Sequence, residues 1–219
     1  MKLVAVIPAH NEAQTIAGVV KAAQKFVDLV LVVDDGSTDA TKAEAERAGA
    51  RVYRSLVNMG KGFALRLGVE QAVQAGAEIV ACLDADGQHN PVDIPGMVKM
   101  LENEKLDLVV GSRPLDEAMP PIMRLGNLGI YWLTLALYGI RVRDTQSGFR
   151  VFKASRFPSL KWEANGYEVE SEMLCRMARN GLKCKEYPIK TLYRDKYKGT
   201  NVADGLRIGL NLVWWKLFG

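Results

Sequence analysis

EIVACLDADGQH, residues 78–89, decides the fold: an apolar run with the look of a buried strand ends in two carboxylates one residue apart, Asp84 and Asp86. Like charges at that spacing raise each other's pKa and strain the ionised pair. Such a cluster asks for positive charge between the carboxylates, and a divalent cation is the simplest source. The same design recurs on both sides. LVAVIPA (3–9), LVLVVDD (29–35), ARVYRSL (50–56) and LDLVVGSR (106–113) also read as buried, β-branched strands. Helical patterns separate them at EAQTIAGVVKAAQKF (12–26), TDATKAEAERAG (38–49) and GFALRLGVEQAVQAG (62–76). Close alternation of this kind implies an α/β domain with a mainly parallel sheet covered by helices on both faces.

In open sheets of this class ligands bind beyond the carboxyl ends of the strands. The polar clusters fall at those ends: PAHNE (8–12), DDGSTD (34–39), DADGQH (84–89) and GSR (111–113). A dinucleotide enzyme is disfavoured, because no G-x-G-x-x-G follows the first strand to let backbone approach a pyrophosphate. Asp34 and Asp35 can still accept hydrogen bonds from ribose hydroxyls or a base edge, which suits a mononucleotide. Phosphates without a glycine cradle need a metal, and Mg²⁺ or Mn²⁺ is commonly held by one or two carboxylates plus substrate phosphates. Zinc is disfavoured: His89 is one of only two histidines and has no cysteine neighbour.

Composition and charge set the remaining bounds. At 219 residues and 48% hydrophobic, the chain can bury one large core, and a single α/β domain is expected. Cys82, Cys175 and Cys184 form neither zinc-site pairs nor a disulfide framework, which points to a reducing, intracellular compartment. MKLVAVIPAHNE lacks the basic flank and cleavage site of a signal peptide. Residues 1–110 carry 11 Lys+Arg against 15 Asp+Glu, net −4, whereas residues 111–219 carry 18 against 10, net +8. The second half should therefore favour an anionic partner. Its bases form no RNA-binding signature and no helical stripe with interleaved aromatics, so nucleic acid is not expected. Anionic lipid or a phosphate-bearing substrate fits better.

VVDDGSTD (32–39), DADGQH (84–89), GSR (111–113) and DTQSGFR (144–150), in this order and at these separations, resemble a family 2 glycosyltransferase of the GT-A fold. Within that family the set is similar to the dolichyl-phosphate, or polyprenyl-phosphate, mannosyl- and glucosyltransferases, and the likeness runs from Lys2 to about Asn201. The resemblance implies that Pro8, Ala9, His10, Glu12, Asp34 and Asp35 line the base and ribose pocket. It makes Asp84, Ala85 and Asp86 the metal motif, with Gln88 an additional ligand. Arg113 and Arg124 are assigned to the acceptor phosphate, and Arg194 with Lys196 or Lys198 to the donor diphosphate. Guanidinium suits these tasks because it binds phosphate bidentately and does not titrate. DTQSGFR is expected to shape the acceptor-side wall, with Asp144 and Gln146 near the sugar.

The implied reaction moves mannose or glucose, with inversion, from a nucleotide-diphosphate sugar to dolichyl or polyprenyl phosphate. Asp86, Arg113, Arg124 and Asp144 carry it. A phosphate monoester is already nucleophilic at neutral pH, so no general base is required, and Glu168, Glu170 and Glu172 are expected to be positioning or structural groups. The alternatives are a family 2 transferase with a carbohydrate hydroxyl acceptor, which would need a base, and a nucleotide-sugar-binding partner without turnover. LGNLGIYWLTLALYGI (125–140) is too short to span a bilayer and reads as an amphipathic or interfacial helix. In VADGLRIGLNLVWWKLFG (202–219), Leu206, Leu210, Val213, Trp214 and Leu217 fall at helical spacing beside Arg207 and Lys216, the composition of a helix lying on a bilayer. The expected organisation is a transferase domain over 1–201 and a membrane-surface helix over 202–219. The enzyme would sit on the cytoplasmic face of the membrane, docked to lipid or to a membrane partner protein.

Overall fold

The apolar runs at Leu3–Ala9, Leu29–Asp35 and Ile79–Cys82 become adjacent parallel strands buried beneath the helices that connect them. The run at 50–56, expected to be buried, instead forms an edge strand with Arg51 and Arg54 exposed. The computed structural model describes residues 1–113, 121–189 and 202–218, with the backbone alone at 121–125 and 202–204. Its strands are β1 (Leu3–Ala9), β2 (Leu29–Asp35), β3 (Arg51–Ser55), β4 (Ile79–Cys82), β5 (Leu108–Ser112), β6 (Arg150–Lys153) and β7 (Cys184–Pro188). They form one sheet in the order β3-β2-β1-β4-β6-β5-β7. Strict alternation along β1 splits its side chains between two cores. Ala5, Ile7 and Ala9 join Ile16, Val20, Ile94, Met97 and Leu101 on one face. Val4 and Val6 join Leu65, Val69, Met173 and Leu174 on the other.

Helices α1 (Ile16–Ala23), α2 (Thr41–Arg47), α3 (Lys61–Gln74) and α4 (Ile94–Asn103) connect the parallel strands. The second half supplies α5 (Pro121–Tyr138), the single turn α6 (Phe157–Leu160), α7 (Val169–Arg179) and α8 (Val202–Phe218). Helix α8 buries Ile208 and Leu212 in a third cluster with Ile130 of α5 and Cys175 of α7. The Tyr138 hydroxyl donates to the Leu212 carbonyl at 2.8 Å and fixes this seat. The opposite face of α8 is not polar. Leu206, Leu210, Trp214, Leu217 and Phe218 are all exposed, Leu210 at 73%. Among the described residues no helix is long and apolar enough to cross a membrane.

The departure from a parallel sheet is β6, antiparallel to both β4 and β5, with Cys82 opposite Arg150 and Ile79 opposite Lys153. Direction here has a positional consequence: an antiparallel strand begins where its parallel neighbours end. The loop leading into β6, residues 143–149, therefore reaches the rim at which β1, β2, β4 and β5 stop.

Arg150, only 1% exposed, anchors that loop. Its Nε donates to the Ser147 carbonyl at 3.0 Å, Nη2 to the Thr145 carbonyl at 2.8 Å and Nη1 to the Glu170 carbonyl at 2.7 Å. Burial pulls its pKa below the usual arginine value, with Glu170 opposing. One guanidinium thus ties the loop to the first turn of α7. Arg150→Met fills similar space but takes the guanidinium donor from the loop carbonyls of Thr145 and Ser147 and breaks the tie to the Glu170 carbonyl, each lost bond worth roughly 1–3 kcal/mol. A loss of about 3–5 kcal/mol in urea unfolding is expected, with Arg150→Lys recovering only part of it because an ammonium cannot reproduce the planar fork.

Candidate active site

Asp84 and Asp86 leave the end of β4 on this rim, and the positive charge they ask for is present in the chain itself. Lys61, first residue of α3, places Nζ 2.7 Å from Asp84 Oδ1 and 2.8 Å from Glu170 Oε1. Burial opposes the lysine charge, yet the two carboxylates raise its pKa above the ordinary lysine value. Burial likewise opposes the Asp84 charge, and Lys61 foremost brings that carboxyl down to about 2. Asp86 is shifted the other way, upward, by burial and by the charge of Asp84. The pair is therefore unequal: Asp84 is a fixed anion, while Asp86, whose Oδ1 accepts the Gln88 amide at 2.9 Å, is the more readily protonated member.

Two glycines permit this crowding. A Cβ on Gly148 would lie 2.6 Å from Asp84 Oδ2, so the DTQSGFR loop can close on the carboxylate only with hydrogen there. A Cβ on Gly62 would collide with the Ala164 carbonyl oxygen. Instead the Gly62 amide donates to Asn165 at 2.7 Å, and the Trp162 indole donates to the Gly62 carbonyl at 2.8 Å. His89 lies behind the pair, its Nδ1 3.3 Å from the Asp84 amide and its ring against Phe149. Burial presses its pKa to about 4, with Asp84 opposing, so the imidazole is neutral at pH 7 and accepts from that amide.

On the nucleotide side, Pro8 and Ala9 are buried at the end of β1, next to Asp34 and Asp35 at the end of β2. Asp34 Oδ1 accepts the Ser37 amide at 3.0 Å, and Arg54 Nε stands 3.3 Å from Asp34 Oδ2. Asp35 accepts the amides of Met59 and Gly60 at 2.9 and 2.7 Å, which seats the loop entering α3 and hence Lys61. The exposed His10 sets Nδ1 2.8 Å from the Asp35 carbonyl. The Glu12 amide donates to Thr41 Oγ1 at 2.7 Å, fixing the start of α2 against the loop after β1. Asp39 accepts the Thr41 amide at 2.9 Å just ahead of α2.

On the other side, Arg113 grips Asp144. Its Nε and Nη2 donate to the two carboxylate oxygens at 2.6 and 2.9 Å, and its amide adds a third bond at 3.1 Å. Two residues expected to meet the acceptor separately are thus one bidentate pair. Gln146 Nε2 donates to Ser171 Oγ at 2.7 Å, joining the same loop to α7. Glu172 accepts the Glu163 and Ala164 amides and the Arg176 guanidinium, which makes it a structural group. Arg124 lies in the first turn of α5, where the backbone alone is described, and Arg194, Lys196 and Lys198 lie outside the described residues.

The donor set fits a hard divalent cation. Two carboxylates, Asp84 and Asp86, share the rim, and both they and the neighbouring Gln88 are part-exposed, an all-oxygen set of the kind Mg²⁺ or Mn²⁺ takes together with substrate phosphates. Among the described residues no group of three or more His, Cys, Asp or Glu could hold a metal, so further ligands would have to come from Gln88, substrate or water. Sequence reading missed Lys61. The available signal was the lysine between two glycines in NMGKG (58–62), obscured because GFALRLGVEQ reads as an ordinary helix. In the sequence Glu170 reads as a positioning or structural group and His89 is weighed only as a zinc ligand, while Arg150 belongs to a motif without a role of its own.

The model of glycosyl transferase family 2 matches residues 4–157. The chain is 35% identical to the UDP-N-acetylglucosamine–dolichyl-phosphate N-acetylglucosaminyltransferase of Methanococcus voltae, over 97% of this chain and 95% of that protein. It is 31% identical to a dolichyl-phosphate hexose transferase of Haloferax volcanii, over 96% and 92% respectively. Among solved structures it superposes on glucosyl-3-phosphoglycerate synthase of Mycobacterium tuberculosis in complex with Mn²⁺, UDP and glucosyl-3-phosphoglycerate. That match has a TM-score of 0.75 at 25% identity and covers 97% of this chain and 77% of the other.

The His89 environment predicts a pH effect. Between the ordinary histidine pKa of 6.5 and the folded value of about 4, the unfolded chain takes up a proton that the folded one refuses, so stability falls as pH falls through this window. Below it both states are protonated and the loss stops. Going from pH 7 to 4.5 should cost the wild type about 2 kcal/mol more than His89→Gln, measured by urea unfolding of both proteins at both pH values.

Proposed function

The chain belongs to glycosyl transferase family 2, and we propose that it moves a sugar, with inversion, from a nucleoside-diphosphate donor to an acceptor that carries a phosphate. The observation that carries this reading is the placement of Asp84 and Asp86 on the strand-end rim, directly against the loop that antiparallel β6 brings there. In this reading Pro8, Ala9, His10, Glu12, Asp34 and Asp35 surround the nucleoside, with Ala85 between the two metal-motif acids. Arg194, Lys196 and Lys198 supply positive charge to the donor diphosphate. When bound, Mg²⁺ or Mn²⁺ would be held by Asp84, Asp86 and Gln88 and would draw negative charge from the leaving diphosphate. The similar solved structure containing Mn²⁺ and UDP supports this assignment. Displacement from the opposite face of the sugar in a single step accounts for inversion.

Two acceptors satisfy the proposal. Polyprenyl phosphate is supported by the two archaeal relatives named for dolichyl-phosphate transfer. The alternative, a hydroxyl on a phosphorylated acceptor, is supported better by the solved structures, one of which contains phosphoglyceric acid at a TM-score of 0.76 and 26% identity. The geometry adds to it, because Arg113 already spends its fork on Asp144. In this alternative Glu170, linked to Asp84 through Lys61, is the group to test as a base. The acceptor phosphate is common to both readings. Labelled UDP- and GDP-sugars with Mn²⁺ should label a short polyprenyl phosphate or 3-phosphoglycerate, and neither the free polyprenol nor glycerate. Transfer to the dephosphorylated partners as fast as to the phosphorylated ones would overturn the proposal.

The outer face of α8 supports a peripheral membrane site for the 202–219 segment, whose inner face packs on α5 and α7. Its exposed Leu206, Leu210, Trp214 and Leu217 share one side with the ring pair Trp214–Phe218, and Arg207 and Lys216 are exposed on the same helix. Tryptophan anchors at the interface, and each base near an anionic surface adds about 1 kcal/mol. Leu210→Glu with Trp214→Glu alters only exposed positions, so folding should survive while flotation with anionic vesicles drops about tenfold or more. Unchanged flotation would leave a partner protein or the α5 surface as the docking element.

A further inference from the structure

We propose that Lys61 is a built-in stand-in for the metal, a side-chain cation that occupies Asp84 until a nucleoside diphosphate arrives, and so makes metal binding conditional on the nucleotide. The inference rests on assigning the metal to Asp84 and Asp86. It is carried by geometry: the ammonium lies 2.7 Å from Asp84 Oδ1, within the space a cation on that oxygen would contest. Lys61 has somewhere to go. Glu170 Oε1 already holds it from the other side at 2.8 Å, and the half-exposed Tyr167 ring has its centroid 5.8 Å from Nζ.

The seat of Lys61 is built rather than incidental. Asp35 fixes the amides of Met59 and Gly60 immediately before it, and Gly62 immediately after it is bonded to the Asn165 carbonyl and the Trp162 indole. Both flanking contacts come from opposite sides of the site: Asp35 from the nucleotide side and residues 162–165 from the strand–helix connection before α7. The lysine is therefore held at the junction of the two sides of the site, with its ammonium between the carboxylates of Asp84 and Glu170.

Without nucleotide, a divalent ion at Asp84 would have to displace the ammonium or sit against it. With nucleotide, the diphosphate offers Lys61 a new anion at the moment the metal takes its old one. Two cations, with three positive charges between them, then share four or more negative charges, and neither excludes the other. Nucleotide and metal should consequently strengthen each other's binding by equal factors, as linkage requires. The coupling should depend on the lysine charge.

The test is Mn²⁺ binding followed by the free-ion EPR signal, without nucleotide and with saturating UDP or GDP. Wild type should bind Mn²⁺ weakly alone and much more tightly with one of the nucleotides. Lys61→Met should bind Mn²⁺ alone at least about tenfold more tightly than wild type, because a full charge a few ångströms away is removed. Adding Asp86→Ala to Lys61→Met should abolish that gain. Glu170→Gln provides a check in the opposite direction: it leaves Lys61 to Asp84, and Mn²⁺ alone should bind several-fold more weakly than to wild type. Equal Mn²⁺ affinity of wild type and Lys61→Met without nucleotide, while both bind it with nucleotide, overturns the stand-in and leaves the metal assignment standing. If Lys61→Met does not fold, unchanged or tighter binding in Glu170→Gln overturns it instead. Wild type that binds no Mn²⁺ under any condition overturns the metal assignment and this inference together.

Discussion

Charge compensation on one rim ties the two halves of this structure together. Asp84, Asp86, Asp144 and Glu170 sit among buried strand ends and helix starts, where an unpaired carboxylate is costly. Each solution reaches across the fold. Lys61 from α3 joins Asp84 of the β4 end to Glu170 of α7, and Arg113 after β5 joins Asp144 before β6. These pairs need not add net stability, since desolvation offsets much of their attraction. They do fix position: breaking either would leave a buried charge without its counterpart, so the loops that carry them have little freedom to drift.

That rigidity is reinforced by backbone contacts. Gly62 and Gly148 allow chain to approach chain at two places on the rim, and Arg150 gathers three carbonyls, two from one loop and one from α7, into one cross-linked corner. Asp35 belongs to the same system, since its carboxylate seats the loop in front of Lys61. A side chain read as a ligand for nucleotide is thus also a support for the residue opposite the metal motif. One carboxylate serves both roles only if its remaining lone pairs face the pocket.

The sequence makes the N-terminal half legible because its signals are local. β1 and β2 coincide with LVAVIPA and LVLVVDD, where a continuous apolar run ends abruptly in polar residues, and Asp84 and Asp86 announce themselves by adjacency. β6 gives no such signal: RVFK is four residues long, and only its pairing with β4 and β5 makes it a strand. Arg113 and Asp144 are both recognisable, but their partnership spans 31 positions and nothing in either neighbourhood announces it. Lys61 fails for the same reason, being an ordinary helix-start lysine until Asp84 and Glu170 close around it. Helix α8 reads as apolar at helical spacing, yet only the fold decides that Ile208 and Leu212 face inward while Leu206 and Leu210 face out.

The antiparallel insertion of β6 also sets an order on synthesis. Strands β1 to β4 can pair among themselves as soon as residue 82 has emerged, but the β4 edge stays open until residues 150–153 arrive to cover it. β5, made earlier, cannot join the sheet before β6, because β6 is its bridge to the rest. A nascent chain therefore carries an uncapped, fully apolar strand edge, and the loose β5, throughout translation of α5, itself rich in leucine and aromatic residues. Such edges template aggregation when exposed for seconds. Synthesis of residues 110 to 150 is therefore the interval through which that edge stays uncovered, and a chain cut within it keeps the edge open for good.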